Sequence, residues 1–180
     1  MLNVKEMEKE LLKKEAALDE LIRKNREIVR ITATSIKEMH SGNLGEAKKL
    51  LSSAEKEIKA LSKSISGHNM GIDHIMQEYC EAKVLLSAIE RAEIPGNKEL
   101  GVSPEVYLNG LLDCIGEFKR EMYEGLRKGD RKKAEYYFNL MDKTYDELLP
   151  LKFSNALLPD FRRKQDVARM QLEQARGELL

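Results

Sequence analysis

An all-α fold of about six helices is what this sequence predicts, and three observations carry it. Apolar residues recur at three- and four-residue spacings through most of the chain. Gly, Pro and capping residues mark the breaks between these runs. No segment reads convincingly as a strand. The composition agrees: 180 residues, 42% hydrophobic, 34% charged and only 6% aromatic, rich in Leu, Ala, Glu and Lys, suit one domain with a real core.

From Val4 to His40, the residues Leu11, Leu18, Leu21, Ile22, Ile28, Val29, Ile31 and Ile36 keep helical spacing without Gly or Pro, which predicts one long amphipathic helix. At 1.5 Å per residue it spans about 50 Å, more than a compact domain of this size covers, so part of it is expected to pack on another subunit. His40-Ser41-Gly42-Asn43 ends it, Gly42 supplying the left-handed turn and Asn43 a cap for the next helix. That second helix runs through Leu44, Ala47, Leu50, Leu51, Ala54, Ile58, Leu61 and Ile65 to Gly67. A third starts near His68, continues through Ile72, Ile75, Met76, Tyr79, Ala82, Val84, Leu85, Ala88 and Ile89, and stops before Ile94-Pro95-Gly96.

Pro95 to Glu99 is the longest turn-rich stretch. Ser103-Pro104-Glu105 reads as a helix start, with Ser at the cap and Pro at the first helical position, and the fourth helix reaches about Lys128. Gly129-Asp130 ends it and caps a fifth, Arg131 to Leu149, whose core side carries Ala134, Tyr137, Leu140, Met141, Tyr145 and Leu148; Pro150 closes that helix. The last starts near Pro159 and carries Phe161, Val167, Met170, Leu172 and Ala175 to the C-terminus. There is no internal repeat or low-complexity tail. The loop from Pro95 to Gly101 is the nearest thing to a boundary, but the helices on either side look too incomplete to fold alone, so residues 1–180 are read as a single helical domain.

Lys plus Arg (31) equals Asp plus Glu (31), so bulk charge argues for no polyanionic partner, and a nucleic-acid role needs a local basic face. No run approaches the roughly 18 apolar residues that span a bilayer, and the N-terminus lacks the apolar stretch of a signal peptide. A soluble, cytoplasmic protein with no membrane partner is expected. Cys80 and Cys114 fit neither a disulfide framework nor a paired Cys-x-x-Cys zinc site and are read as reduced thiols.

The residues that can carry chemistry are acidic. Glu78 and Glu81 lie three apart in a strongly helical segment, which puts both carboxylates on one face, where they need water or a cation. Asp113 and Glu117, four apart on the fourth helix, repeat the arrangement, and Asp113 sits between Leu111-Leu112 and Cys114-Ile115, where a surface carboxylate is out of pattern. Four oxygen ligands from two facing helices would suit a hard cation such as Mg²⁺ or Mn²⁺. A solvated helix face also explains a Glu-x-x-Glu pair, and spacing alone does not decide.

Gln77-Glu78-Tyr79-Cys80-Glu81-Ala82, followed by Ser103-Pro104-Glu105-Val106-Tyr107-Leu108-Asn109-Gly110-Leu111-Leu112-Asp113-Cys114-Ile115-Gly116-Glu117, resembles the translin family, and within it translin-associated factor X (Trax) more than translin itself. The resemblance extends over Arg26 to Ala47, the Gly129-Asp130 turn and the final helix, and so covers nearly the whole chain. A compact chain without long insertions resembles a prokaryotic, archaeal-type relative. The resemblance implies a translin-like helical bundle that assembles into an octameric homo-oligomeric shell around RNA. It also implies a Mg²⁺-dependent endoribonuclease acting on single-stranded RNA, with DNA as a further ligand. Position by position, Glu78 and Glu81 match the family's catalytic Glu pair, Asp113 its catalytic Asp, and Glu117 the adjacent acidic metal position. One departure is visible: Gly67-His68-Asn69-Met70-Gly71-Ile72-Asp73-His74 replaces the basic, His-rich segment by which translin grips nucleic acid, and contains no Arg.

Arg23, Arg26 and Arg30 share one side of the first helix and read either as a phosphate-tracking stripe inside a shell or as a solvated face pairing with Glu20 and Glu27. Arg131-Lys132-Lys133 and Arg162-Arg163-Lys164 read as solvated helix starts. His74, four before Glu78, either supports the acidic site or touches RNA, or is an ordinary half-buried His. His40, His68 and His74 form no zinc pattern. Two other functions stay open: a non-catalytic nucleic-acid-binding module with structural carboxylates, and an all-α MazG-type nucleotide pyrophosphatase. The latter fits less well, because its second motif is Glu-x-x-Asp where this chain has Asp113-x-x-x-Glu117.

Overall fold

The computed structural model describes residues 3–64 and 71–179. Within them the chain forms α1 (Val4–His40), α2 (Leu44–Ser64), α3 (Asp73–Ile89), α4 (Asn97–Leu100), α5 (Pro104–Arg127), α6 (Arg131–Leu148) and α7 (Phe161–Leu179), with no strand among the described residues. None of these helices is long and apolar enough to cross a membrane.

The helix ends follow the local chemistry of the sequence. Gly42 adopts φ 82°, which closes α1 and lets the Asn43 N–H reach the Glu38 carbonyl at 2.8 Å. The Asn43 side chain turns back as well, donating to Glu38 Oε2 at 2.7 Å. Ser103 Oγ accepts the Val106 N–H at 3.3 Å ahead of Pro104, and the Asp130 carboxylate accepts the Lys133 N–H at 2.9 Å. The one-turn helix α4 falls where the sequence reads as a loop. Four residues are too few for an apolar period to show, and α4 is bracketed by extended Gly96 and left-handed Gly101. The end of the second helix near Gly67 and the start of the third near His68 lie outside the described residues; α3 begins at Asp73.

Helix α5 is the centre of the bundle, with α3, α6 and α7 packed around it, while α1 lies against α2 and α3. One apolar cluster runs from Ile28 of α1 through Leu85, Ile115, Phe118, Met122 and Met141 to Leu172 and Ala175 of α7. Helix α1 is divided by this core. Its C-terminal part buries Ile28, Thr32, Ser35, Ile36 and Met39, whereas Val4, Met7, Leu11, Leu12, Leu18 and Ile22 remain 40–64% exposed. The apolar stripe is thus continuous in sequence but covered over only its second half.

Helix α5 comes unusually close to α3 at Gly110. A Cβ there would stand 3.0 Å from Cys80 Sγ, 3.1 Å from Cys80 Cβ and 3.3 Å from the Gln77 carbonyl. The missing side chain sets the spacing of the two helices that carry the acidic residues. Gly110→Ala is therefore expected to lower stability by about 1–3 kcal/mol by overpacking. Gly45→Ala, with nothing within 4 Å of its added Cβ, should be neutral or mildly stabilising, and urea unfolding of the two variants checks the contrast.

Candidate active site

A cleft of about 1040 Å³ opens where α3, α5, the first three turns of α7 and the segment before α7 meet. The apolar residues of α3 and α5 set its walls. Ile75, Tyr79, Ala82 and Leu86 of α3 and Leu112, Ile115 and Phe118 of α5 are buried, which leaves Gln77, Glu78 and Glu81 on α3 and Asn109 and Asp113 on α5 lining the cleft. Cys80 and Cys114 point to the apolar side. Burial pushes the Cys80 thiol up to about 12 and the Cys114 thiol well above its ordinary value, so neither is a nucleophile near neutral pH.

Asp113 is held on one oxygen by two donors from other helices. Gln77 Nε2 donates to its Oδ2 at 2.5 Å and Lys164 Nζ at 2.7 Å, and the Lys164 side chain is only 16% exposed. Glu81 has no such donor among the described residues. Burial first, and then the charges of Asp113, Glu78 and Glu117, raise its carboxyl to about 8, with Lys164 opposing. Glu78 stands on the same side of α3, with His74 Nδ1 3.9 Å from its Oε1 on an exposed ring at the rim. Asn109 completes the wall: it is 7% exposed, and its Oδ1 has no hydrogen-bond partner among the described residues.

The structure thus brings Glu78, Glu81 and Asp113 to one cleft, with His74 at its edge. Glu117 lies one turn beyond Asp113 and is drawn away: its Oε2 pairs with His40 Nε2, and Arg120 stands 3.9 Å from the same oxygen. The three arginines of α1 are not at the cleft. Arg23 pairs with Glu20 at 2.7 Å and Glu27 at 3.6 Å, whereas Arg26 and Arg30 are exposed and make no ion pair with a described residue. Lys164 was expected on a solvated helix start and instead faces Asp113. Neither it nor His40 was legible locally, because their carboxylate partners lie 51 and 77 residues away.

His40 is wedged at the end of α1 between two carboxylates, with Glu117 on Nε2 and Glu121 on Nδ1 at 2.5 Å, while Lys133 holds Glu121 from the other side at 2.5 Å. Two carboxylate acceptors on both ring nitrogens require both to carry protons. Burial works against the charged ring, but the bonds to Glu117 and Glu121 outweigh it and raise the His40 pKa. The stabilisation is therefore fully present below the ring's unfolded value and is lost as pH rises through its higher folded value. His40→Gln should cost most stability at pH 6 and progressively less toward pH 9, measured by urea unfolding across that range.

No protein-family model matches the chain. The fold superposes on AfC3PO in complex with duplex RNA with a TM-score of 0.87 at 31% identity, over 99% of this chain and 95% of that one. It matches apo-NeC3PO with a TM-score of 0.88 at 26% identity, over 99% and 97% of the two chains. In sequence, the uncharacterized protein MJ0175 of Methanocaldococcus jannaschii is 31% identical over 175 residues, 94% of this chain and 78% of the relative. The chain belongs to the translin family. It is a Trax-like member with the all-α, C3PO-type fold.

In this translin-family chain the cleft suits a hard divalent cation by the chemistry of its donors. Glu78, Glu81 and Asp113 offer only oxygen donors, burial and then their mutual repulsion lift Glu81, and Asn109 Oδ1 has no hydrogen-bond partner among the described residues. Among the described residues no three ligating side chains already stand in a cage; Lys164 and Gln77 hold Asp113, and His40 holds Glu117.

Proposed function

We propose that this protein is a Mg²⁺-dependent endoribonuclease, also served by Mn²⁺, that cuts single-stranded RNA enclosed by a homo-oligomer of translin type, with eight copies in the shell. The observation that carries the reading is the position of Glu81: a carboxyl raised to about 8 by burial and then by three other carboxylates, in a cleft that also holds a buried acceptor with no partner among the described residues. Glu78, Glu81 and Asp113 would hold the cation, with Glu117 reaching it only by leaving His40. The ion supplies Lewis-acid charge at the scissile phosphate and makes a bound water more acidic. The protein's own groups do the rest. Gln77 fixes the carboxylate of Asp113, Asn109 Oδ1 can orient a water or a ribose hydroxyl, and Glu81, once the cation's charge has drawn off its own proton, is the carboxylate suited to take the proton from the attacking water. His74 at the rim and the exposed Arg26 and Arg30 are assigned to the RNA backbone, the arginines through the shell interior and not through this cleft. The exposed half of α1 supplies the contact between copies.

A second reading is a non-catalytic RNA-binding protein. It is favoured by the pairing of Asp113 with Lys164 and of Glu117 with His40, which gives both carboxylates structural partners, and by the capture of AfC3PO with duplex RNA. An assay with end-labelled single-stranded and duplex RNA, in Mg²⁺ and in EDTA, separates the two. Metal-dependent cutting of the single strand is the expected outcome. Binding of either RNA with no cleavage under any condition would leave the second reading in its place.

A further inference from the structure

We infer that Lys164 is the resident counter-cation of the acidic cleft: it competes with a divalent cation for Asp113 and, once displaced, binds the RNA phosphate. The inference rests on the metal-dependent reading above and names a residue that reading does not require. The pair differs from most ion pairs in this chain. Most of the others link residues three or four apart on one helix, whereas Lys164 of α7 meets Asp113 of α5 at 2.7 Å, across 51 residues of sequence. Its side chains are 16% and 27% exposed, so the ammonium has given up most of its water for this contact. It also occupies the same oxygen, Oδ2, that Gln77 holds at 2.5 Å. Both donors sit on Oδ2, so a hard cation on Asp113 would stand within a few ångströms of the ammonium, and their repulsion sets the two in competition for the carboxylate.

What Lys164 reaches when it leaves is also given by the fold. It lines the cleft together with Arg163, whose exposed guanidinium pairs with Asp160 at 3.2 Å. A lysine released from Asp113 is then a point charge inside the cleft free to meet a phosphate, on a flexible four-carbon stem. Competition of this kind is reciprocal: cation binding frees Lys164 to the same extent that Lys164 weakens the cation.

The test uses the full-length protein and Mn²⁺ alone, followed by electron paramagnetic resonance without RNA. Lys164→Met, and Lys164→Gln as a variant that keeps a donor for Asp113, should each bind Mn²⁺ about tenfold more tightly than the natural protein, while Lys164→Arg stays close to it. At saturating Mn²⁺ the same two variants should cleave RNA at least about tenfold more slowly, with Lys164→Arg restoring most of the rate. Mn²⁺ affinity that is unchanged or weaker in both neutral variants, or no Mn²⁺ binding by any form, overturns the competition. Unchanged cleavage overturns the phosphate role. Tighter Mn²⁺ binding by the variants of a protein that cuts no RNA would uphold the counter-cation and reject the nuclease reading, so the two failures are distinct.

Discussion

Glu81→Gln is expected to abolish metal-dependent RNA cleavage and at the same time to make the protein more stable at neutral pH. Loss of a ligand that also takes the water's proton should lower the rate by about a thousandfold or more. The stability gain follows from the carboxyl being raised to about 8 against an ordinary 4.5. Above pH 4.5 the unfolded chain releases this proton while the folded chain keeps it, so folding loses stability as pH climbs toward 8 and loses none below 4.5. At pH 7 the accumulated cost is about 3 kcal/mol, which the amide does not incur. Urea unfolding in EDTA at pH 5 and pH 7 should therefore show a falling stability for the natural protein and a flatter response for the variant. Cleavage within a few-fold of normal, or a variant less stable than the natural protein at pH 7, contradicts this assignment. A site that is costly to fold and relieved by its ligand is the usual signature of function over stability.

Placing charge on the exposed half of α1 should break the assembly without unfolding the subunit. Leu11 and Leu18 are 64% and 41% exposed and contribute nothing to the subunit core, so the double change Leu11→Glu, Leu18→Glu has no burial to lose within one chain. Against a second copy each buried leucine contributes about 1.5–3 kcal/mol, and two per chain are enough to shift a dissociation constant by at least about a hundredfold. Light scattering coupled to size exclusion should show a large homo-oligomer for the natural sequence and smaller species for the double variant, with circular dichroism retaining helix beyond residue 22. An unchanged mass would remove α1 from the interface.

These expectations divide along what a sequence can express. Local features were legible: Val4 to His40 is the helix its spacing predicts, and Ser103, Gly129 and Asp130 end and start helices as their chemistry requires. The Glu78 and Glu81 pair was legible because a helix turns i and i+3 onto one face, and Asp113 because it interrupts apolar neighbours. Long-range pairing was not. Nothing around Lys164 or His40 marks them as partners of Asp113 and Glu117, and α4 is too short to carry a period. The arginine stripe shows the converse, a correct shared face whose location relative to the acidic cleft only the fold supplies.

The central claim is that the cleft between α3, α5 and α7 holds a divalent cation. Anomalous diffraction from crystals grown with Mn²⁺ tests it most directly. The expected result is a peak bonded to carboxylate oxygens of Glu81 and Asp113, with Glu78 beside it and the Lys164 ammonium no longer on Asp113. A map with no peak in the cleft and Lys164 still paired to Asp113, in crystals of protein that binds RNA, would contradict it.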